Sequence, residues 1–160
     1  MGQQGFGINE TKTWTSTDVA LPAGLLARGK SPKGEWLFVK ASATIAQYAW
    51  VGVDGEGDAA ELTTTTYASV CDIGVAQVAI ASGEYAWIWT GCGGGTLSLI
   101  KGKVAASYAA FALINSTATA GVADDAATKI LGGVVGLTTD GGAGSSIELY
   151  AAGRITKVTA

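Results

Sequence analysis

The sequence predicts an all-β protein: a β-sandwich or small β-barrel of short antiparallel strands, preceded by an extended N-terminal arm. Three observations lead to that class. Short β-branched and aromatic runs recur along the chain, separated by Gly, Asp and Ser turns. No window of about twelve residues keeps a helical i, i+3, i+4 apolar stripe free of glycine. The chain carries 28 Ala and 24 Gly among 160 residues but only two prolines, which excludes collagen-like and polyproline structure. With 48% hydrophobic and 14% charged residues it can build a core and is no disordered tail.

Residues 1–33 read as the arm. They are rich in Gln, Thr and Gly, hold Pro22 and Pro32, and carry the basic cluster Arg28, Lys30 and Lys33. Within the arm, residues 11–17 alternate with β-branched threonines around Thr13, Trp14 and Thr15, the pattern of an exposed strand. Phe6, Ile8, Trp14, Leu21, Leu25 and Leu26 are too sparse for a separate core. Ordering therefore has to come from backbone pairing with another chain, with the basic cluster facing acidic groups of the partner.

Residues 34–160 read as one β-rich domain. Strands are predicted at 35–41, 48–53, 69–80, 84–90, 96–100, 109–114, 130–138, 146–151 and 155–158. Asp54-Gly55-Glu56-Gly57 closes a hairpin, because Asp-Gly tolerates positive φ. Asp140-Gly141-Gly142-Ala143-Gly144 reads as a flexible loop, residues 104–113 as the best helical exception, and 123–129 as room for one helical turn. An internal echo runs through the domain: residues 48–53, 57–60 and 73–76 resemble 108–113, 121–124 and 134–137. Its offset drifts, so a duplication and a chance match of Ala/Gly-rich chain both stand.

Charge and residue inventory bound the function. A net charge of −3 with ten dispersed Lys and Arg supplies no basic stripe for nucleic acid. No run of about 18 apolar residues is present, and residues 1–6 lack the basic and apolar regions of a secretory signal, so neither a spanning helix nor secretion is expected. The absence of His removes the commonest neutral-pH base and zinc ligand, and no catalytic residue, cofactor or metal site is predicted. Gly24-Leu25-Leu26-Ala27-Arg28-Gly29-Lys30-Ser31 fits the phosphate-loop spacing, but Pro32, Gly34 and a strand-like run occupy the place of the required helix. Asp54, Glu56, Asp58 and Glu61 cluster as acids, yet without the order of a calcium loop; they read as a solvated hairpin tip. The sequons at Asn9 and Asn115 read as coincidences of a Thr-rich chain, and Cys71 and Cys92 as free, reduced thiols.

The aromatic residues are the most informative feature. Tyr85, Trp87 and Trp89 alternate and therefore share one strand face, as do Tyr48 and Trp50. They read as core or subunit interface, large rings set against Ala- and Gly-rich strands. The alternative is a sugar-stacking platform. Candidate interface residues are thus Thr13, Trp14, Thr15, Arg28, Lys30, Lys33, Tyr85, Trp87 and Trp89.

The segments 40–54, 61–65, 73–77 and 81–89, most specifically IGVAQ followed by GEYAWIW, resemble head decoration (capsid cement) proteins of tailed phages over residues 35–153. The resemblance implies a β-rich fold, no enzymatic activity, trimers or other small homo-oligomers, and binding to the major capsid protein. It places the chain on the capsid surface of a virion assembled in the host cytoplasm. The arm is long for a minimal cement domain. A sugar-binding β-sandwich, or another virion protein of tail or fibre, is the competing expectation.

Overall fold

The computed structural model describes residues 7–19, 27–126, 129–139 and 145–158. In chain order the strands are β1 (Thr13–Trp14), β2 (Ala27–Ser31), β3 (Gly34–Ala41), β4 (Trp50–Val53), β5 (Asp58–Glu61), β6 (Asp72–Ala76), β7 (Tyr85–Gly94), β8 (Lys101–Lys103), β9 (Leu113–Ser116), β10 (Ala123–Asp124), β11 (Lys129–Gly136) and β12 (Ser146–Lys157). One 3₁₀ turn, Thr66–Ala68, is the only helical element among the described residues. The fold is all-β.

Five strands close on themselves. β3 pairs with β7, β7 with β6, β6 with β4 and β4 with β5, all antiparallel. β5 then returns to β3 in parallel, Lys40 opposite Asp58 and Ala41 opposite Ala59. The closure removes the open edges that a flat sheet of this size would expose. The interior is narrow and takes small aliphatic side chains: Leu37, Val39, Ala41, Ile45, Ala49, Val51, Val53, Ala59, Ala76, Ile80, Ala86 and Ile88 form one buried cluster. The Asp54–Gly57 turn does close β4 onto β5, its Asp54 Oδ1 accepting from the N–H of Glu56 and of Asp58.

The second half of the chain repeats the plan. β8 pairs with β12, β12 with β11, β11 with β9 and β9 with β10, again antiparallel, and a parallel bridge from Val104 to Ala123 closes the ring. Chain order and strand order correspond throughout, β3–β7 with β8–β12. Backbone hydrogen bonds correspond as well: Ser42 N to Ala59 O matches Ala105 N to Ala123 O, and Tyr48 N to Ala76 O matches Phe111 N to Gly136 O. Tyr48 and Phe111, the matched pair, both hold left-handed backbone, at φ 64° and 62°, a conformation uncommon outside glycine. The internal echo is a structural duplication, and Ala59 and Ala123 coincide as the echo aligns them.

The barrels differ inside. Ile45 in the first corresponds to Tyr108 in the second, and Ala76 to Gly136. The larger ring fits because its partner has no side chain: a Cβ on Gly136 would stand 2.6 Å from Tyr108 Cε1. The phenol donates to Ala112 O at 2.6 Å and accepts from Gly136 N at 3.1 Å, so its polar atom is satisfied in the core. Burial pushes its pKa above the ordinary tyrosine value.

The second barrel seats against the outer face of the first. Trp36, Trp89, Val75 and Trp50 stand opposite one another on β3, β7, β6 and β4, so they form one row on one face. All four are buried in a cluster shared with Ile100, Ile147, Leu149, Ala151 and Ile155. Trp50 Nε1 donates to Lys103 O at 2.9 Å, and its ring lies where a Cβ on Gly102 would meet it at 3.2 Å. β7 outruns its own barrel, and its glycine-rich end pairs with β12 through Gly91, Gly93 and Gly94. Gly91, at φ 118°, admits this crossing, since a Cβ there would lie 2.3 Å from Gly153 O.

Several sequence expectations are corrected. Residues 96–100 form turns rather than a strand, and 104–113 form turns leading into β9 rather than a helix. The two strands expected at 146–151 and 155–158 are the single bulged β12. β2, β5, β8 and β10 lie where no strand was expected. The loop at 140–144 lies outside the described residues.

Candidate interaction surfaces

The arm's described residues are docked on their own chain. β1 pairs with β7, Thr13 opposite Ala86 and Trp14 opposite Tyr85, which corrects the expectation that this run waits for another chain. Burial of Trp14 drives the docking: its ring meets Phe38 edge-on at 5.4 Å, and Phe38 in turn stacks on Tyr85 at 5.9 Å. Val19 joins the same cluster and Ile8 packs against it. Thr13 is half-buried and Thr15 exposed. Thr15 closes a local turn, donating from its N–H and hydroxyl to the Asp18 carboxylate at 2.9 and 2.7 Å. Those hydrogen bonds hold Asp18 below the usual carboxylate range. Residues 1–6 and 20–26, with Phe6, Leu21, Leu25 and Leu26, lie outside the described set.

Tyr85, Trp87 and Trp89 share a face, as their spacing requires, but they offer no platform. Trp87 is 4% exposed and Trp89 0%, so the sugar-stacking reading of these rings is corrected. Strong apolar burial explains the placement: each ring covers barrel surface that would otherwise face water. Trp89 Nε1 donates to Lys33 O at 3.0 Å, while Trp87 Nε1 has no hydrogen-bond partner among the described residues.

The basic residues of the cluster lie on and just after β2, which pairs with β3 in a hairpin and ends the strand order. Alternation turns Arg28 and Lys30 outward. Arg28 reaches both carboxylate oxygens of Asp72, at 2.9 and 2.8 Å. Lys30 and Arg154 flank Glu35 at 3.1 and 3.6 Å. Lys33 is paired with Glu10, which ties the arm to the turn after β2. Arg28, Gly29, Lys30, Glu35, Trp36, Thr90 and Arg154 line an open cleft of about 160 Å³. Three cations face one acid there, with Asp72 beside Arg28. Thr90, 1% exposed, places a hydroxyl without a hydrogen-bond partner among the described residues at its wall.

Glu35 organises the cleft. The Lys30 hydrogen bond, opposed by partial burial and aided by Arg154, holds its carboxyl below the ordinary value. The same carboxylate touches Cys92, whose thiol is pushed up by loss of water contact and then by the Glu35 charge. Sequence reasoning found Arg28 and Lys30 as a charge run but missed Glu35, Thr90 and Arg154. Arg154 is isolated in the sequence and reaches the cleft only because a β12 bulge sets it opposite Gly91.

Other motifs settle into structural roles. Arg28, Gly29, Lys30 and Ser31 of the phosphate-loop match lie on a strand followed by a turn and another strand, with no helix to hold phosphate. Of the acid cluster, Glu61 accepts from Ala46 N at 2.8 Å, and no group that could hold a metal ion occurs among the described residues. Asn115 is buried in β9. Cys71 and Cys92 are free and exposed. No helix among the described residues is long and apolar enough to cross a membrane. Comparison with known proteins finds no match: no family model fits the chain, and no curated protein matches it.

Proposed function

We propose that this protein is a non-enzymatic virion component that binds the outer surface of an icosahedral phage capsid and stabilises it. The observation that carries the reading is the cation-lined cleft at the β2 edge, displayed on a body welded together by buried indoles. A rigid double barrel loses little conformational freedom on docking, so contact energy is retained as affinity. Arg28, Lys30 and Arg154 suit carboxylates on the major capsid protein, and at such an interface they orient the partner and speed its encounter. Assembly takes place in the host cytoplasm under this reading, and the docked arm contributes stiffness rather than a free tether.

Electron cryomicroscopy of native particles tests the proposal: density for the double barrel on the outer shell, with the β2 edge inward, is the expected result. Absence from virions, or a position on the tail, overturns it. The triple charge reversal Arg28→Glu, Lys30→Glu, Arg154→Glu is expected to abolish binding to stripped shells while leaving the far-ultraviolet spectrum unchanged. Undiminished binding by that variant refutes the role of the cleft.

A further inference from the structure

The duplication identifies a second surface. In the first barrel, Trp50, Val75 and Trp89 stand opposite one another and are covered by the second barrel. The register places Leu113, Val135 and Tyr150 in the same positions of the second barrel, Leu113 opposite Val135 and Val135 opposite Tyr150. That row is uncovered: Leu113 is 58% exposed and Tyr150 44%, with Phe111 beside them at 70%. Leu97 and Leu99, on the loop leading to β8, are exposed as well. Among the described residues, five of the six exposed large apolar side chains lie on or next to this one row; the sixth is Val158. Contiguous apolar surface of this kind marks a contact site.

We propose that this row is the docking face for a second copy of the chain, and that copies meet there row against row about a rotation axis. Two observations select that occupant and geometry. The first barrel cannot cover a neighbour's row in the way the second covers the first, because the equivalent face is taken. Phe38 and Lys40 are the counterparts of Lys101 and Lys103, and Trp14 of the docked arm sits on Phe38. Elsewhere on the described surface only Val158 offers a large apolar group, so a copy can answer the row only with its own row. The charges permit this. Glu148, two residues before Tyr150 and on its face, has Lys101 as its cross-strand partner, so each face carries one acid beside one base. A self-complementary face of this type closes under rotational symmetry instead of growing into a filament.

The inference concerns the free protein and does not rest on shell binding. Sedimentation analysis of the full chain at micromolar concentration is expected to show a small closed oligomer. Leu113→Glu and Tyr150→Glu are each expected to weaken association at least about tenfold, as truncated or charged interface centres do. Both side chains are largely outside the core, so near-ultraviolet circular dichroism should stay native; the milder Leu113→Asn provides the same comparison should Leu113→Glu fail to fold. In a Cys71→Ser, Cys92→Ser background, Leu113→Cys is expected to cross-link to itself between copies. The cleft triple variant is expected to associate like the parent, so a failure of shell binding leaves this result readable. A protein monomeric at all concentrations, association unaffected by substitutions in the row, or no Leu113→Cys cross-link overturns the proposal.

Discussion

The matched positions of the two barrels allow one packing relation to be exchanged for the other. At Gly136 an added Cβ would lie 2.2 Å from Ile147 Cδ1 and 2.6 Å from Tyr108 Cε1, well inside contact. Gly136→Ala is therefore expected to cost about 1–3 kcal/mol through overpacking. Tyr108→Ile removes the ring and the hydroxyl that accepts from Gly136 N at 3.1 Å. The cavity and the orphaned N–H together are expected to cost about 3–5 kcal/mol. The double variant recreates the Ile45 and Ala76 pair, both of which are fully buried in the first barrel. The methyl group then occupies space the ring vacated, and the double variant should be more stable than the sum of the singles predicts by about 1–3 kcal/mol. Urea denaturation measures the cycle, read from midpoints at unchanged slope. Additivity within about 0.5 kcal/mol would refute both the packing argument and the equivalence of the two sites.

Trp50→Ala is expected to lose about 3–5 kcal/mol, since it empties the seam between the barrels; a loss below about 1 kcal/mol in urea would contradict the shared core. Glu35 has a depressed folded pKa, so its contribution is present above the model-peptide value of 4.5 and disappears as pH falls through the lower folded value. The stability gap between the parent and Glu35→Gln should accordingly be constant at neutral pH and close below 4.5; a gap that widens in acid reverses the sign of the argument. In a Cys71→Ser background, Glu35→Gln is expected to speed alkylation of Cys92 at a fixed, mildly alkaline pH, because the carboxylate no longer opposes the thiolate. An unchanged rate, followed by thiol-specific mass labelling, removes Glu35 as the cause.

Legibility in the sequence followed the strength of local pattern. The strand at 35–41 and the start of β7 were readable because β-branched and aromatic residues alternate there without interruption. β8, Lys101-Gly102-Lys103, carries no such pattern: its central residue is a glycine whose lack of a Cβ matters only because Leu149 and Trp50 occupy the space. β5, Asp58-Ala59-Ala60-Glu61, reads as a solvated turn until the parallel pairing with β3 supplies its hydrogen bonds. The cleft was half visible, as a basic run at Arg28 and Lys30. Its acid and its third cation, Glu35 and Arg154, are 119 positions apart in chain order by their numbering and meet through a single ion pair.

By itself the sequence determined the all-β class, the Asp-Gly hairpin and the one-sided face of Tyr85, Trp87 and Trp89, because backbone pleat and turn preference act over a few residues. It carried the duplication as an echo too. Tertiary structure decided which way those aromatic faces turn. Trp36, Trp50 and Trp89 disappear beneath the second barrel, whereas Leu113 and Tyr150, in matching positions, face water. Local pattern is the same in both halves; burial is not, because it depends on what stands opposite each face once two closed barrels have been packed together.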